Sequence, residues 1–257
     1  MPENEKMDTS NQITHTQDAA KMLSLVSHKL RTPLSIINGY SEAILSQSSK
    51  EKFSPFTTKA LEEINKQGIK LCALVDKLMF FNKVENLQPK DLAKKQINLK
   101  NLLKVCANDA ISHEEDSSTV PSTSAIAKRG TFIEIDCPSN LEIKSDEELM
   151  AFLLEELITN AIKFNTKAEK IIKVQCAHHG DSVSISVRDY GTGVRPQDVN
   201  KIFERFYQVD DYFTGQIDGW GLGLPMVKKI LDLHGGSISV ISDRGLGTIF
   251  TVSLPIV

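Results

Sequence analysis

Cysteine is scarce and unpatterned in this chain: its four copies, Cys72, Cys106, Cys137 and Cys176, show no C-x-x-C spacing. That excludes a sequence-readable zinc ribbon, dithiol redox motif or disulfide framework, and the four read as small apolar residues in a reducing compartment. A basic excess is missing too. The chain carries 30 Lys+Arg against 33 Asp+Glu, a formal net charge of -3, so no cationic field points to nucleic acid. No apolar run approaches the ~20 residues that a membrane-spanning helix needs, and no secretory signal precedes the first helix. These absences predict a soluble, cytoplasmic chain, or the soluble part of a longer protein, with residues 1–16 as a polar tail or linker. What is present is ordinary for a globular protein: 257 residues, 40% hydrophobic and 25% charged, enough for two domains.

The first organised stretch, residues 17–88, reads as helical. From about Gln17 to Gln47, Leu23, Val26, Leu30, Pro33, Ile37, Tyr40 and Ile44 alternate at three- and four-residue spacing, a heptad seam. Pro33 removes one backbone donor and predicts a kink. After a polar link near Ser46–Ser54 a second series runs Leu61, Ile64, Gly68, Leu71, Val75, Leu78, Asn82. Two such helices joined by a short loop predict an antiparallel hairpin. A lone hairpin cannot bury both seams, so two of them pairing into a four-helix bundle, a homodimer, is the expected solution. A hairpin packed on its own C-terminal domain is the alternative.

Leu87–Lys95, with Pro89 and four charges, reads as a linker to a domain over 96–257. A helix is expected near Leu99–Ile111, then a Ser/Thr/Pro-rich loop from Ser112 to Gly130 without hydrophobic period. Strands are expected at Thr131–Cys137, Ile171–Ala177, Ser182–Arg188, Ser237–Ser242 and Thr248–Leu254. Ser145-Asp-Glu-Glu148 has capping-box spacing and opens a helix to about Asn165; another begins at Pro225. Strands interspersed with helices predict a two-layer α/β sandwich.

Four glycine- or amide-bearing pieces follow in order. Glu156 and Asn160 are four apart, so they share one helix face and can hold Mg²⁺ directly or through water, with Lys163 near enough to reach a phosphate. Alone, this is also what a solvated helix face looks like. Asp189-Tyr-Gly191-Thr-Gly193 follows a strand. Its carboxylate can accept from an adenine amino group and its glycines let backbone approach the ring, although a simple turn has the same composition. Gly219-Trp-Gly221-Leu-Gly223-Leu224-Pro225 flows into a helix whose N–H groups and dipole favour anions. The polar residues Val209–Asp218 before it read as a lid, and Trp220 is either its hinge anchor or a residue that packs down with it. Gly245-Leu-Gly247-Thr248 could be only a hairpin turn. The conjunction in fixed order points to ATP.

His28, in Ser27-His28-Lys29-Leu30-Arg31-Thr32-Pro33-Leu34, falls between seam positions Val26 and Leu30, on the outer face of the coil. An imidazole of pKa ~6.5 keeps a free lone pair near neutrality, as attack on a γ-phosphate requires. By itself such a residue is ordinary surface; the ATP constellation gives it meaning. The other histidines, including His178-His179, have no such context and read as surface.

The whole order, from roughly 17 to 255, resembles the sensor histidine kinase family: H-box at His28, N-box at Asn160, first Gly box at Asp189, F-box Ile202-Phe-Glu-Arg-Phe-Tyr207, second Gly box Gly219–Leu224 and a last Gly-x-Gly-Thr. The ATP-binding part is similar to the Bergerat fold of gyrase, Hsp90 and MutL-type ATPases. The resemblance implies a mixed sheet backed by helices, with Mg-ATP between the N-box helix and the lid. Asp189 then reads adenine and Thr248 lies near it; Asn160, with Glu156, holds Mg²⁺; Lys163 and the lid glycines Gly219, Gly221 and Gly223 hold phosphates. His28 is the phospho-acceptor, and a response-regulator receiver domain docks on the bundle to receive the phosphoryl group.

Two positions depart from the pattern. Lys29 stands where the family usually has an acid that takes the imidazole proton, and a lysine cannot serve as base at neutral pH. It can draw the γ-phosphate electrostatically, or it can slow the reaction. Gln208 stands where an arginine usually follows Phe206-Tyr207, with Arg205 or Lys163 as the available substitutes. Thr32, one turn past His28, occupies the position that in the family orients water for dephosphorylating the regulator; it could also simply shape the Pro33 kink. The leading expectation is therefore a dimeric histidine kinase core. The alternatives are an ATP-binding, kinase-like regulator acting mainly as phosphatase or docking partner, and a Bergerat-fold ATPase using Glu156 to activate water.

Overall fold

The computed structural model describes residues 30–31, 34–45, 53–112, 119–121, 125–128, 130–209 and 221–256. The chain divides after Asn86 into two units.

In the first unit, residues 34–45 form helix α1 and Pro55–Asn86 form α2. α2 starts where local chemistry says it should. The Ser54 hydroxyl accepts the Thr57 N–H at 3.1 Å, and Pro55 supplies a first-turn residue whose missing N–H costs nothing there. The helices are antiparallel: Arg31 pairs with Asp76, Asn38 Nδ2 donates to Cys72 Sγ at 3.7 Å, and the Asn38 amide fills the space beside Gly68 where a side chain would stand. The expected hairpin is thus formed.

Its seam differs from the expected one. On α1 the buried positions are Leu34 and Ser41, with Asn38 and Leu45 half-buried between and after them, while Ile37 and Tyr40 are 45% and 70% exposed. On α2, Gly68 and Val75 are buried, whereas Ile64 and Leu71 are exposed. Two stripes lie side by side on α1, of which the heptad reading held only the second, while on α2 it combined residues of both. On α1 the first faces the partner helix; the second, through Leu30, Ile37, Tyr40 and Ile44, faces outward. Spacing alone cannot say which partner an apolar stripe meets.

The second unit, Leu87–Val257, contains a two-stranded antiparallel pair of β1 (Lys94–Asn98) and β5 (Glu142–Asp146), and a seven-stranded sheet. The sheet order is β2-β3-β4-β6-β7-β9-β8, with β2 Thr119–Pro121, β3 Ala125–Lys128, β4 Thr131–Asp136, β6 Lys170–His179, β7 Ser182–Arg188, β8 Ser237–Asp243 and β9 Gly247–Pro255. Only β4 and β6 run parallel; every other neighbouring pair is antiparallel. Helices α3 (Leu99–Ser112), α4 (Glu147–Lys163) and α5 (Gly223–His234) pack on one another and on the sheet, the predicted two-layer arrangement.

Several expectations need correcting here. The stretch read as a loop from Ser112 to Gly130 contributes β2 and β3, and the linker reading overlapped β1. These short pieces gain their order from neighbours: β3 pairs with β4, and β1 with β5. The cap of α4 is Asp146 rather than Ser145, its carboxylate accepting the Leu149 N–H at 3.3 Å, and Ser145 lies in β5 with its hydroxyl buried. The core follows the 3.6-residue rule. Leu149, Met150, Leu153, Leu154, Leu157 and Ile158 of α4 are fully buried, against Ile172, Val174, Ile185 and Val252 of the sheet. Each such side chain contributes about 1.5–3 kcal/mol relative to an exposed one.

Candidate nucleotide-binding site

The end of β7 delivers Asp189 into the second unit at 5% exposure. Its Oδ1 accepts the Gly191 N–H at 2.8 Å, and its backbone N–H donates to Thr248 O at 2.9 Å. Burial pushes the carboxyl pKa up, and the N–H groups of Gly191 and Thr248 pull it part of the way back. A carboxylate has about four acceptor sites, so with these two N–H groups bound it is a buried acceptor that can still take a further donor.

Glycines make this approach possible. A Cβ on Gly191 would strike the carbonyl of Phe164 and crowd Asn165 at the end of α4. Gly247 has φ +91, and a Cβ there would strike the Asp189 carbonyl. The Ser242 hydroxyl accepts the Val194 N–H at 2.8 Å, donates to Gly247 O at 3.0 Å and lies 2.9 Å from Thr248 Oγ1. The first Gly box and the last Gly-x-Gly-Thr are therefore a single unit built around Asp189. Gly193 fits the same way, against the Asp243 carbonyl.

On α4, Glu156 and Asn160 are half-buried, one turn apart, and the Glu156 carboxylate occupies the position of a would-be Cβ on Gly223, the first residue of α5. The N-box and the second Gly box thus meet, with a helix N-terminus at the carboxylate. Lys163 Nζ lies 4.9 Å from the Phe164 ring centroid. Leu224 is half-buried on the first turn of α5, and Arg205 is exposed in the F-box. Phe206 takes a left-handed backbone (φ 63) and donates its N–H to Gly221 O at 2.8 Å. His28, Lys29, Thr32 and Gly219 lie outside the described residues, as does Trp220.

Sequence reasoning missed a supporting cluster. Asp198, buried, accepts from Arg195 Nε at 2.7 Å and from the Tyr207 hydroxyl at 2.8 Å, and these two bonds hold its carboxyl below the usual range. It ties the F-box back to the chain leaving the first Gly box. Asn165 was missed as well: it is buried at the lip of Gly191 and its Nδ2 has no partner among the described residues. The three-residue spacing of Arg195 and Asp198 was a readable signal; the orphaned amide left none. Among the described residues no cluster of three or more His, Cys, Asp or Glu could cage a metal. A phosphate-bound Mg²⁺ needs no such cage, because it keeps waters and substrate oxygens. The buried Asp189 acceptor, the orphaned amide donor and the glycine-lined approaches fit an adenine nucleotide.

Comparison with known proteins agrees with this geometry. Residues 18–87 match the His Kinase A (phospho-acceptor) domain, and residues 145–257 match the histidine kinase-, DNA gyrase B- and HSP90-like ATPase. The chain belongs to the sensor histidine kinases and carries both domains of their catalytic core. It is 30% identical over 231 residues to the sensor-like histidine kinase SenX3 of Mycobacterium tuberculosis, covering 90% of this chain and 52% of that protein. To the phosphate regulon sensor protein PhoR of Pseudomonas aeruginosa it is 31% identical over 227 residues, 88% of this chain and 47% of that protein. The chain thus spans about half the length of these relatives. Among solved structures, full-length ShkA in complex with AMPPNP superposes with a TM-score of 0.69 at 24% identity, over 91% of this chain and 45% of that one. Among the described residues no helix is long and apolar enough to cross a membrane.

Proposed function

We propose that the chain transfers the γ-phosphoryl group of Mg-ATP to His28 and passes it on to an aspartate in the receiver domain of a response regulator, acting in the cytoplasm as a homodimer. The observation that carries this reading is Asp189: a buried carboxylate held by backbone N–H groups among close-packed glycines, in the same chain as a phospho-acceptor hairpin.

Asp189 accepts from the adenine amino group, and Gly191, Gly193 and Thr248 shape the space around the base. Lys163, Arg205 and the backbone of Gly219, Gly221, Gly223 and Leu224 face the phosphates, where the N-terminus of α5 favours negative charge. Glu156 and Asn160 would hold Mg²⁺, in part through water, and the ion would neutralise phosphate charge as it develops. His28 attacks as neutral imidazole: an N–P bond forms, the bond from γ-phosphorus to the bridging oxygen breaks, and ADP leaves. The ring proton must then go to something other than Lys29, which is itself a cation and serves by drawing the phosphate. The outward stripe of Ile37, Tyr40, Ile44, Ile64 and Leu71 supports pairing of two hairpins into a four-helix bundle.

A second reading rests on Lys29 and Gln208. Both weaken the transfer step and leave the adenine pocket intact, while Thr32 retains the water-orienting position. The chain would then act mainly as a regulator phosphatase. Incubation with γ-labelled ATP and Mg²⁺ separates the readings. The first requires an acid-labile, base-stable label that disappears in His28→Gln. Nucleotide binding without label favours the second. Phosphate release without any adduct, lost in Glu156→Ala, would overturn both in favour of a plain ATPase.

A further inference from the structure

Two of the four cysteines, distant in sequence, are neighbours in space. The parallel register of β4 and β6 pairs Ile133 with Ile172, Ile135 with Val174 and Asp136 with Gln175, so the next step sets Cys137 beside Cys176. Ile133, Ile172 and Val174 point into the core, and alternation puts both cysteines on that same inner face. Neighbouring strands lie about 4.8 Å apart, inside the roughly 4.4–6.8 Å Cα separation that a disulfide accepts. We propose that Cys137 and Cys176 are an oxidation site, a dithiol pair that hydroperoxides convert to a disulfide inside the ATP-binding unit.

The environments of the four cysteines single out this pair. The neighbouring Cys176 thiol draws the Cys137 thiol below its ordinary value against the opposing pull of burial, while Cys137 and burial push the Cys176 thiol up. Cys137 in turn donates to Pro138 O at 3.7 Å. With one proton shared between two sulfurs, loss of the other leaves a single thiolate that belongs to the pair. Cys106, by contrast, is buried under α4, bonded to Ala151 O, and its thiol is pushed up to about 12. Cys72 lies in the other unit, against Asn38.

Access and order follow from burial. Cys137 is 3% exposed and Cys176 is half-buried, so Cys176 is the sulfur that a small oxidant meets. In the singly deprotonated pair the remaining proton passes from Cys176 to Cys137, leaving the charge on the accessible sulfur. The Cys176 thiolate attacks the peroxide, an S–O bond forms, the O–O bond breaks, and hydroxide leaves and takes up a proton. Cys137 then attacks the sulfenic sulfur, the S–S bond forms, the S–O bond breaks and water departs. Two thiols lose two electrons and two protons, and hydrogen peroxide becomes two waters. The new bond closes the loop 137–176, which contains all of α4 with Glu156, Asn160 and Lys163.

The test uses the full chain, reduced, desalted and titrated with hydrogen peroxide under native conditions, with intact-mass and peptide mapping. The expected result is loss of the mass of two hydrogens per chain, a linked peptide joining Cys137 to Cys176, and reversal by dithiothreitol. The oxidised form should unfold at a higher urea concentration than the reduced one. In Cys137→Ser, peroxide should instead add one oxygen at Cys176 that dimedone traps. Oxygen addition on the wild-type chain without a link, a link through Cys72 or Cys106, or a Cys137–Cys176 link formed only in denaturant would each overturn the proposal. The wild-type mass alone decides the matter if a variant misfolds, and it is independent of kinase activity.

Discussion

The carboxylate of Glu156 sits in the space that a side chain on Gly223 would fill, so the acid of the N-box and the first residue of α5 share one position. Gly223 is there to make room for Glu156.

Gly223→Ala must therefore push the Glu156 carboxylate aside. Because the displaced atoms are the flexible end of a side chain, unfolding free energy should change by less than about 1 kcal/mol. Phosphorylation from Mg-ATP should fall tenfold or more. Urea unfolding and γ-phosphate labelling on the same preparation check both halves; a large loss of stability would mean that Glu156 cannot move.

Asp189→Asn separates binding from stability. The buried carboxyl has its pKa raised, so in the wild type the ionised form weighs against folding above that pKa, and stability is regained as pH falls through it. A neutral amide removes that penalty but offers an N–H where an acceptor is needed. ATP affinity should drop about 10–100-fold, matching roughly 1.5–3 kcal/mol for a hydrogen bond to a charged group. Thermal unfolding at pH 7 should be unchanged or later. Calorimetric titration together with a melt distinguishes this outcome from simple misfolding.

His234 supplies a dependence of the opposite sign. It is buried at the end of α5, with Nδ1 2.8 Å from Ile230 O and Nε2 accepting the Asp146 N–H at 3.3 Å. Desolvation lowers its pKa, helped by Lys94 and opposed by the Ile230 carbonyl and Asp146. A folded pKa below the unfolded ~6.5 means that this stabilisation is complete above pH 6.5 and is lost as pH falls through the folded value. Urea midpoints from pH 8 to 5 should decline, and His234→Gln should flatten that decline.

The outward stripe of the hairpin predicts the oligomeric state. Ile37→Asp with Ile64→Asp places charge on both exposed stripes without touching Leu34 or Val75. Sedimentation should move from dimer to monomer, with nucleotide binding by the second unit retained. Arg31→Ala, which removes only the exposed pair with Asp76, should shift stability by no more than about 1 kcal/mol.

The parts legible in the sequence were those where one periodicity served one purpose. β7 was found at its observed bounds, Ser182–Arg188, because alternation on a half-buried strand leaves little choice. The Asp189 and Gly191 elements were readable only together with the other glycine pieces in their fixed order, because alone that stretch has the composition of a simple turn. Where two demands overlapped, the reading blurred. α1 carries two adjacent stripes, and its heptads could not say which one meets α2. β1 is ordered by pairing with the distant β5, and β2 and β3 are too short to show a readable alternation and gain their order from pairing with each other and with β4. Asp146 displaced Ser145 as cap because β5 runs one residue further than the capping-box spacing assumed. The meeting of Cys137 with Cys176 belongs to register, which no local pattern encodes.

The bond from the Phe206 N–H to Gly221 O has a consequence for how this domain can diversify. It stitches together the two ends of the chain that leaves the F-box and returns at α5, so whatever lies between starts and finishes at one fixed point. Closing such a loop grows costlier only slowly with length, about 0.6 kcal/mol per doubling. Insertions, deletions and wholesale replacement between 210 and 219 can therefore be sampled at little expense to the core. A join fixed at Phe206 and Gly221 thus separates the length of the chain between them from the stability of the core.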